Sequence, residues 1–200
     1  MKVKYFATKD DWFEGRKGKI TGSVLKDIVV KRGSGEKIGF YQIIADRISQ
    51  KTDEDPMERG SRLEPEAIDV FSSKIGKDID TSLVIWERDD NPSIAISPDG
   101  FMGETEAVEV KCLSGAKHIE SYLTNKIPEE YHYQVLQYFI VNEKLETLYF
   151  VLYNPEMPEK IQMHYFIISR KDVQDQVDTY TAYQKEKLAT IDEIINTLTF

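Results

Sequence analysis

SPDGFMGETEAVEVK, residues 97–111, is the stretch on which the reading of the fold turns. Ser97-Pro98-Asp99-Gly100 reads as a turn, since Pro fixes one backbone dihedral and Gly tolerates the positive one expected after it. Phe101 and Met102 start a short strand, Gly103-Glu104 makes a hairpin bend, and Ala107 to Cys112 forms the return strand. There Val108, Val110 and Cys112 alternate with Glu109 and Lys111, so a period of two puts the apolar three on one face and the charged pair on the other. An acid and a lysine on a largely apolar strand are costly to half-bury unless something offsets them. Asp99, ten residues before Glu109 and at the base of the hairpin, points to the same place.

Those three side chains suit one kind of chemistry. Magnesium takes oxygen ligands, commonly one or two carboxylates together with waters and substrate phosphates. Asp99 and Glu109 are the candidate carboxylates, and the carbonyl of Val110, between Glu109 and Lys111, is a further ligand. Lys111 shares the strand face of Glu109, where an ammonium can orient an attacking water, help deprotonate it or share developing negative charge. An E-x-K triplet alone is a weak signal, common on exposed strands. Its weight comes from the Pro-Asp-Gly turn upstream.

The chain has 200 residues, 40% hydrophobic and 30% charged, which suits one soluble globular domain with a sizeable core. No apolar run approaches the roughly 20 residues of a membrane helix, and no secretory leader is expected in MKVKYFATKD. A single cysteine, Cys112, excludes an internal disulfide, fits a reducing cytoplasm and is expected to serve packing. The net charge of −9 argues against a general nucleic-acid binder, but residues 1–37 hold ten Lys/Arg against five acids. A basic end on an acidic body can follow phosphates locally without indiscriminate long-range attraction. Charge alone favours the plainer reading, a solvated lysine-rich surface.

In chain order, residues 9–17 read as a short helical or irregular segment anchored by Trp12 and Phe13, and Thr21 or Ser23 can cap a helix through Val29. KRGSGEK (31–37) is a glycine-containing loop without the preceding strand or the Gly-Lys-Ser/Thr ending of a nucleotide-binding loop. Phe40, Ile43, Ile44, Arg47 and Ile48 mark an amphipathic helix. A helix opening at Pro56 follows, with Leu63, Ala67, Ile68, Val70 and Phe71 as its buried stripe and most of its charges in solvent. Glu64, beside Leu63, is placed at a boundary from which a carboxylate can reach into a cleft.

Strands are expected at Leu83 to Trp86 and Ile94 to Ile96, ahead of the central hairpin. Helices follow at about Ala116 to Leu123 and from Pro128 through PEEYHYQVLQYFIVN, with Tyr131, Val135, Tyr138 and Phe139 as the apolar stripe and Gln134 and Gln137 on its flank. Strands Thr147 to Tyr153 and Ile161 to Ile168 precede a closing helix over about Lys171 to Leu198. The order predicts an α/β or α+β core, a mixed sheet flanked by helices. His118, His132 and His164 lack metal-ligand spacing, and no nucleophile elbow or dinucleotide fingerprint is present.

The SPDG and EVK pair resembles the signature of the PD-(D/E)XK nuclease superfamily. The wider pattern is similar to the phage lambda exonuclease (YqaJ) family of recombination nucleases. It is carried in order by WFEGRKGKITGS (12–23), KRGSGEK, ERGSRLEPEAIDVF (58–71), AISPDGF, AVEVKC, YHYQVLQYFIV, YFVLYNPEM and HYFIISR. The resemblance spans about residues 12–170, with Gly22 where the family often has Ala and Leu113 where it often has Pro.

It implies a PD-(D/E)XK fold as one nuclease domain over 1–200, with a basic DNA-end-binding segment at about 1–37, a catalytic core at about 56–170 and a terminal helix at about 171–198. Asp99, Glu109, Glu64 and the Val110 carbonyl match metal-binding positions, Lys111 the catalytic lysine, and Gln134 and Tyr131 the active-site glutamine and tyrosine. Arg16 falls where the family binds a 5′-terminal phosphate, with Thr21, Ser23 and Arg32 in the adjoining DNA-contacting blocks. The implied activity is 5′→3′ digestion of one strand of linear duplex DNA, using Mg²⁺ with Mn²⁺ able to substitute and two ions per site. A ring-shaped homotrimer, a single-strand annealing partner and the cytoplasm of a bacterial host are implied with it. The rival readings are a Cas4-like nuclease, whose usual iron–sulfur cysteines one Cys cannot supply, a structure-selective endonuclease, and a non-catalytic DNA-end-binding protein.

Overall fold

The computed structural model describes Thr8, Asp11, residues 38–48 and residues 56–199. Arg16, Thr21, Ser23 and Arg32 lie outside these, as do the segments expected at 12–17, 21–29 and 31–37. No helix among the described residues is long and apolar enough to cross a membrane. The chain divides into two compact units, one of Met1–Arg62, Cys112–Lys126 and Leu152–His164, the other of Leu63–Lys111, Ile127–Val151 and Tyr165–Phe200.

In the first unit, helix α1 (Ile38–Ile48) packs on helix α3 (Gly115–Thr124). Tyr41, Ala45, Ala116, Ile119 and Met157 form the core between them, with Ile44 and Ile161 against it. Ile48, expected on the apolar stripe, is exposed, because the face that packs runs through Tyr41, Ile44 and Ala45. Arg59 is buried here rather than solvated. Its guanidinium donates to Glu156 at 3.1 Å, to Asn154 Oδ1 at 2.9 Å and to the Cys112 carbonyl at 3.0 Å. A buried cation is tolerated because this fork fills its donors.

The second unit carries helix α2 (Pro56–Ile75) from Leu63 onward, a two-stranded sheet of β1 (Trp86–Arg88) and β2 (Asn91–Ile96), and most of the larger sheet. That sheet is mixed and runs β3 (Gly100–Met102), β4 (Glu106–Lys111), β5 (Thr147–Tyr153), β6 (Met163–Ser169). Helix α4 (His132–Val141), preceded by a 3₁₀ turn at Glu129–Tyr131, packs on β1, β2 and the long helix α5 (Arg170–Thr199). The expected mixed sheet flanked by helices is the fold observed.

Several local expectations change. Leu63, Ala67, Ile68 and Phe71 are buried on α2, with the Phe71 ring 5.5 Å from Tyr149 and 5.2 Å from Tyr165, but Val70 faces out. Leu83 and Ile85 are exposed and the strand begins only at Trp86, so the apolar residues expected to start it lie outside the sheet. The helix expected from Pro128 opens as the 3₁₀ turn. On α5 Val177 is buried, while Ile194 is exposed. Gly100 does not need a positive φ. It opens β3, and a Cβ there would lie 2.5 Å from Ile79 Cγ2, so close approach is what requires glycine. The positive φ of +64° belongs to Gly103, at the expected hairpin bend.

Candidate active site

β3 and β4 pair antiparallel, with Gly100 opposite Val108, so the ladder to β3 stops short of Glu109 to Lys111. Asp99 continues it with a side chain: Oδ2 accepts the Val110 backbone N–H at 2.7 Å. The turn that delivers Asp99 is therefore tied to the strand that delivers Glu109 and Lys111. This is why an acid separated from them along the sequence sits beside them in space.

β4 is buried along Ala107 to Val110, and Glu109 itself is only 1% exposed. The alternation of faces holds as geometry, but the charged face is enclosed too. A carboxylate this deep must have its lone pairs occupied. Lys111 Nζ and Gln134 Nε2 donate to Oε1, the latter at 2.6 Å, and the Tyr138 hydroxyl donates to Oε2 at 2.5 Å. Gln134 and Tyr138 are one helical turn apart on α4, so one face of that helix holds the acid. The Lys111 ammonium also lies over the Tyr131 ring, 5.4 Å from its centroid, a cation–π contact that shields its stem.

The electrostatics record crowding of like charge. Burial first, then Glu109 and Glu64, lifts the Asp99 carboxyl to about 7, against the relief of the Val110 N–H and Lys111. Glu64 is also raised, by burial and then by Glu109, with Lys111 opposing. Burial and the nearby acids Glu130 and Glu109 push the Tyr131 phenol up to about 12, and Tyr138 is raised further by burial and Glu109. Both phenols therefore keep their protons at neutral pH.

Glu64, Pro65, Pro98 and Asp99 line a cleft of about 640 Å³ whose other wall is the segment Thr81 to Ile85. The structure thus brings Asp99, Glu109, Lys111, Glu64, Gln134 and Tyr131 into one neighbourhood. Among the described residues no three His, Cys, Asp or Glu side chains are gathered as a ready-made metal cage. The donor chemistry nevertheless fits a hard divalent cation: carboxylate oxygens, with those of Asp99 and Glu64 disfavoured as anions by burial and by the Glu109 charge.

Tyr138 was missed from sequence, where it reads only as core. The available signal was that a buried tyrosine needs a partner for its hydroxyl. Arg88 was missed too. It reads as part of a turn, yet it is buried and donates to the Ile140 carbonyl, Asp90 and Glu143.

A mixed sheet, an acid on the turn before β3, an E-x-K strand and a glutamine-bearing helix together make this the fold of the PD-(D/E)XK nucleases. Residues 11–145 match the model of the YqaJ-like viral recombinase domain, and the chain belongs to that family. Among solved structures it is similar to LHK-Exo in complex with dAMP, at 26% identity and a TM-score of 0.61 over 95% of this chain and 98% of that one. LHK-Exo is an alkaline exonuclease from Laribacter hongkongensis, and its structure under that description aligns at 24% identity and a TM-score of 0.57, over 96% and 100%. Among curated proteins none matches the chain.

Proposed function

We propose that this chain is a Mg²⁺-dependent recombination exonuclease that digests one strand of linear duplex DNA from a 5′-phosphorylated end and leaves 3′ single-stranded tails. Membership of a viral recombinase family and likeness to an alkaline exonuclease support the nuclease class. The observation that carries the reading is the tie between Asp99 and the Val110 amide, which sets an acid against the Glu109–Lys111 strand at a cleft also lined by Glu64.

The cation, Mg²⁺ with Mn²⁺ able to substitute and two ions per site, would be held by Asp99, Glu109, Glu64 and the Val110 carbonyl. When bound it supplies positive charge that lowers the pKa of a water and offsets charge growing on the phosphate. Lys111, held between Glu109 and the Tyr131 ring, presents an ammonium to the same phosphate and can give a proton from Nζ to the departing O3′ and recover one from the attacking water. Gln134 fixes Oε1 of Glu109. Water adds to phosphorus, the bond to O3′ of the outgoing nucleotide breaks, and the remaining strand again begins with a 5′-phosphate. Arg16, with Thr21, Ser23 and Arg32, would hold that phosphate and give the reaction its direction. A ring of three copies around the duplex and a single-strand annealing partner complete the proposal, with a bacterial cytoplasm as its setting.

The test is digestion of linear and covalently closed duplex DNA, with 5′-phosphate or 5′-hydroxyl ends, in Mg²⁺ and in chelator. Loss of linear 5′-phosphorylated DNA in Mg²⁺ alone is expected, together with an inert Lys111→Ala protein. Digestion of closed circles would overturn the exonuclease assignment, and full activity of the Lys111 variant would overturn the site. Equal rates on the two end chemistries would remove Arg16 from its role.

A further inference from the structure

Among the described residues three donors reach the almost fully buried carboxylate of Glu109, and the division among its oxygens is uneven. Lys111 and Gln134 both donate to Oε1, whereas Oε2 takes the Tyr138 hydroxyl. A carboxylate offers about four lone-pair directions, so these three donors leave one, on Oε2. Whatever else binds Glu109 must use the oxygen that Tyr138 orients.

Tyr138 is itself held from every side. Its side chain is wholly buried, and its ring meets the Trp86 ring edge-on at 6.4 Å and 84°. Trp86 is in turn packed edge-on against Phe101 of β3, at 5.6 Å. A tyrosine needed only for packing could be phenylalanine here.

We propose that Tyr138 is a positioning residue of the active site: its hydroxyl turns the free lone pair of Glu109 Oε2 toward the cation. This rests on the metal-dependent reading above. Groups that orient a ligand from behind typically contribute about 10- to 100-fold in metal affinity or activity. Tyr138→Phe keeps the ring and its packing and removes only the donor.

The experiment measures Mn²⁺ affinity by calorimetry in the absence of DNA, and separately kcat, KM for DNA ends and the unfolding midpoint. It compares wild type, Tyr138→Phe and Trp86→Phe, the last loosening the ring's packing without touching the hydroxyl. Tyr138→Phe is expected to weaken Mn²⁺ binding about 10-fold or more and to lower kcat with KM for DNA unchanged. Trp86→Phe is expected to lower the unfolding midpoint while Mn²⁺ affinity stays within twofold. The inference is overturned if Tyr138→Phe binds Mn²⁺ as wild type does, or if Trp86→Phe weakens binding equally, since the role would then be packing. A wild type that needs the metal, beside an indifferent Tyr138→Phe protein, sinks this inference and spares the functional reading. A wild type that neither binds metal nor cuts DNA sinks both.

Discussion

Helix α4 handles buried charge in opposite ways along one face and at its C-terminal end. On the face, Gln134 and Tyr138 hold Glu109, and the neighbouring Asp99 and Glu64 are both disfavoured as anions by burial and then by the Glu109 charge. At its finish, two arginines meet the helix carbonyls. Arg88 donates to the Ile140 carbonyl, and Arg170 donates to those of Phe139 at 2.9 Å and Asn142 at 2.6 Å. Cations at a helix C-terminus are favoured by its dipole, and these also fill carbonyls that the helix leaves open. The Arg88 charge is further matched by Asp90 and Glu143. The C-terminal end is satisfied and holds the helix down. The acid-facing side is left in repulsion between like charges.

The contrast can be broken by substitution. Asp99→Asn should have the largest effect on catalysis, a fall of roughly 10²–10³-fold in hydrolysis, as for loss of a principal charged group at a reaction centre. It should also stabilise the metal-free protein at pH 8, by about 2 to 4 kcal/mol in urea unfolding. The sign follows from Asp99 being raised to about 7 from 3.8: the folded state binds the proton more tightly than the unfolded one. Its contribution is fully present below about pH 4 and is lost as pH rises through about 7. The difference between wild type and variant should therefore open across that window and be level above it. Identical pH–stability curves would show that the acid-facing side carries no such repulsion.

Arg88→Met should do the reverse at the C-terminal end of α4, lowering stability by about 2 to 3 kcal/mol through an unsatisfied carbonyl while the folded fraction keeps its metal affinity. Loss of Mn²⁺ binding in folded Arg88→Met protein would mean that the two regions are not separable. Mg²⁺ should raise the unfolding midpoint of wild type and of Arg88→Met alike, by a smaller amount, and leave Asp99→Asn nearly unmoved. Least of all, Lys144→Ala removes an exposed pair with Glu104 and should leave the unfolding midpoint where it was.

How much of this was legible from residue order differs from group to group. Asp99, Glu109 and Lys111 were readable because turn chemistry and strand period are local, and the register of β3 against β4 follows from the bend at Gly103. Glu64 was readable only as a boundary residue, since its approach to the acids depends on how α2 is set, which no local pattern encodes. Tyr138 was rightly read as core with its hydroxyl partner missed, and Arg88 and Arg59 were misplaced, for one shared reason. Side chains with an apolar body and a polar tip are assigned by periodicity to core or to solvent, while their true environment depends on partners distant in the chain. Arg59 reaches Asn154 and Glu156, and Arg88 reaches Ile140 and Glu143. Gly100 shows a subtler limit: the turn was expected where it is, but the glycine answers to Ile79 rather than to its own dihedral.

The Val110 amide proton has a use of its own. It is bonded to a carboxylate where β3 no longer pairs with β4, so its exchange with deuterated solvent is governed by Asp99 rather than by that ladder. Protonating or removing that carboxylate should speed exchange at this one position relative to Ala107 and Val108, whose neighbours across the ladder are intact. A single backbone site then becomes an internal gauge of the charge on Asp99, readable in the free protein with no substrate present.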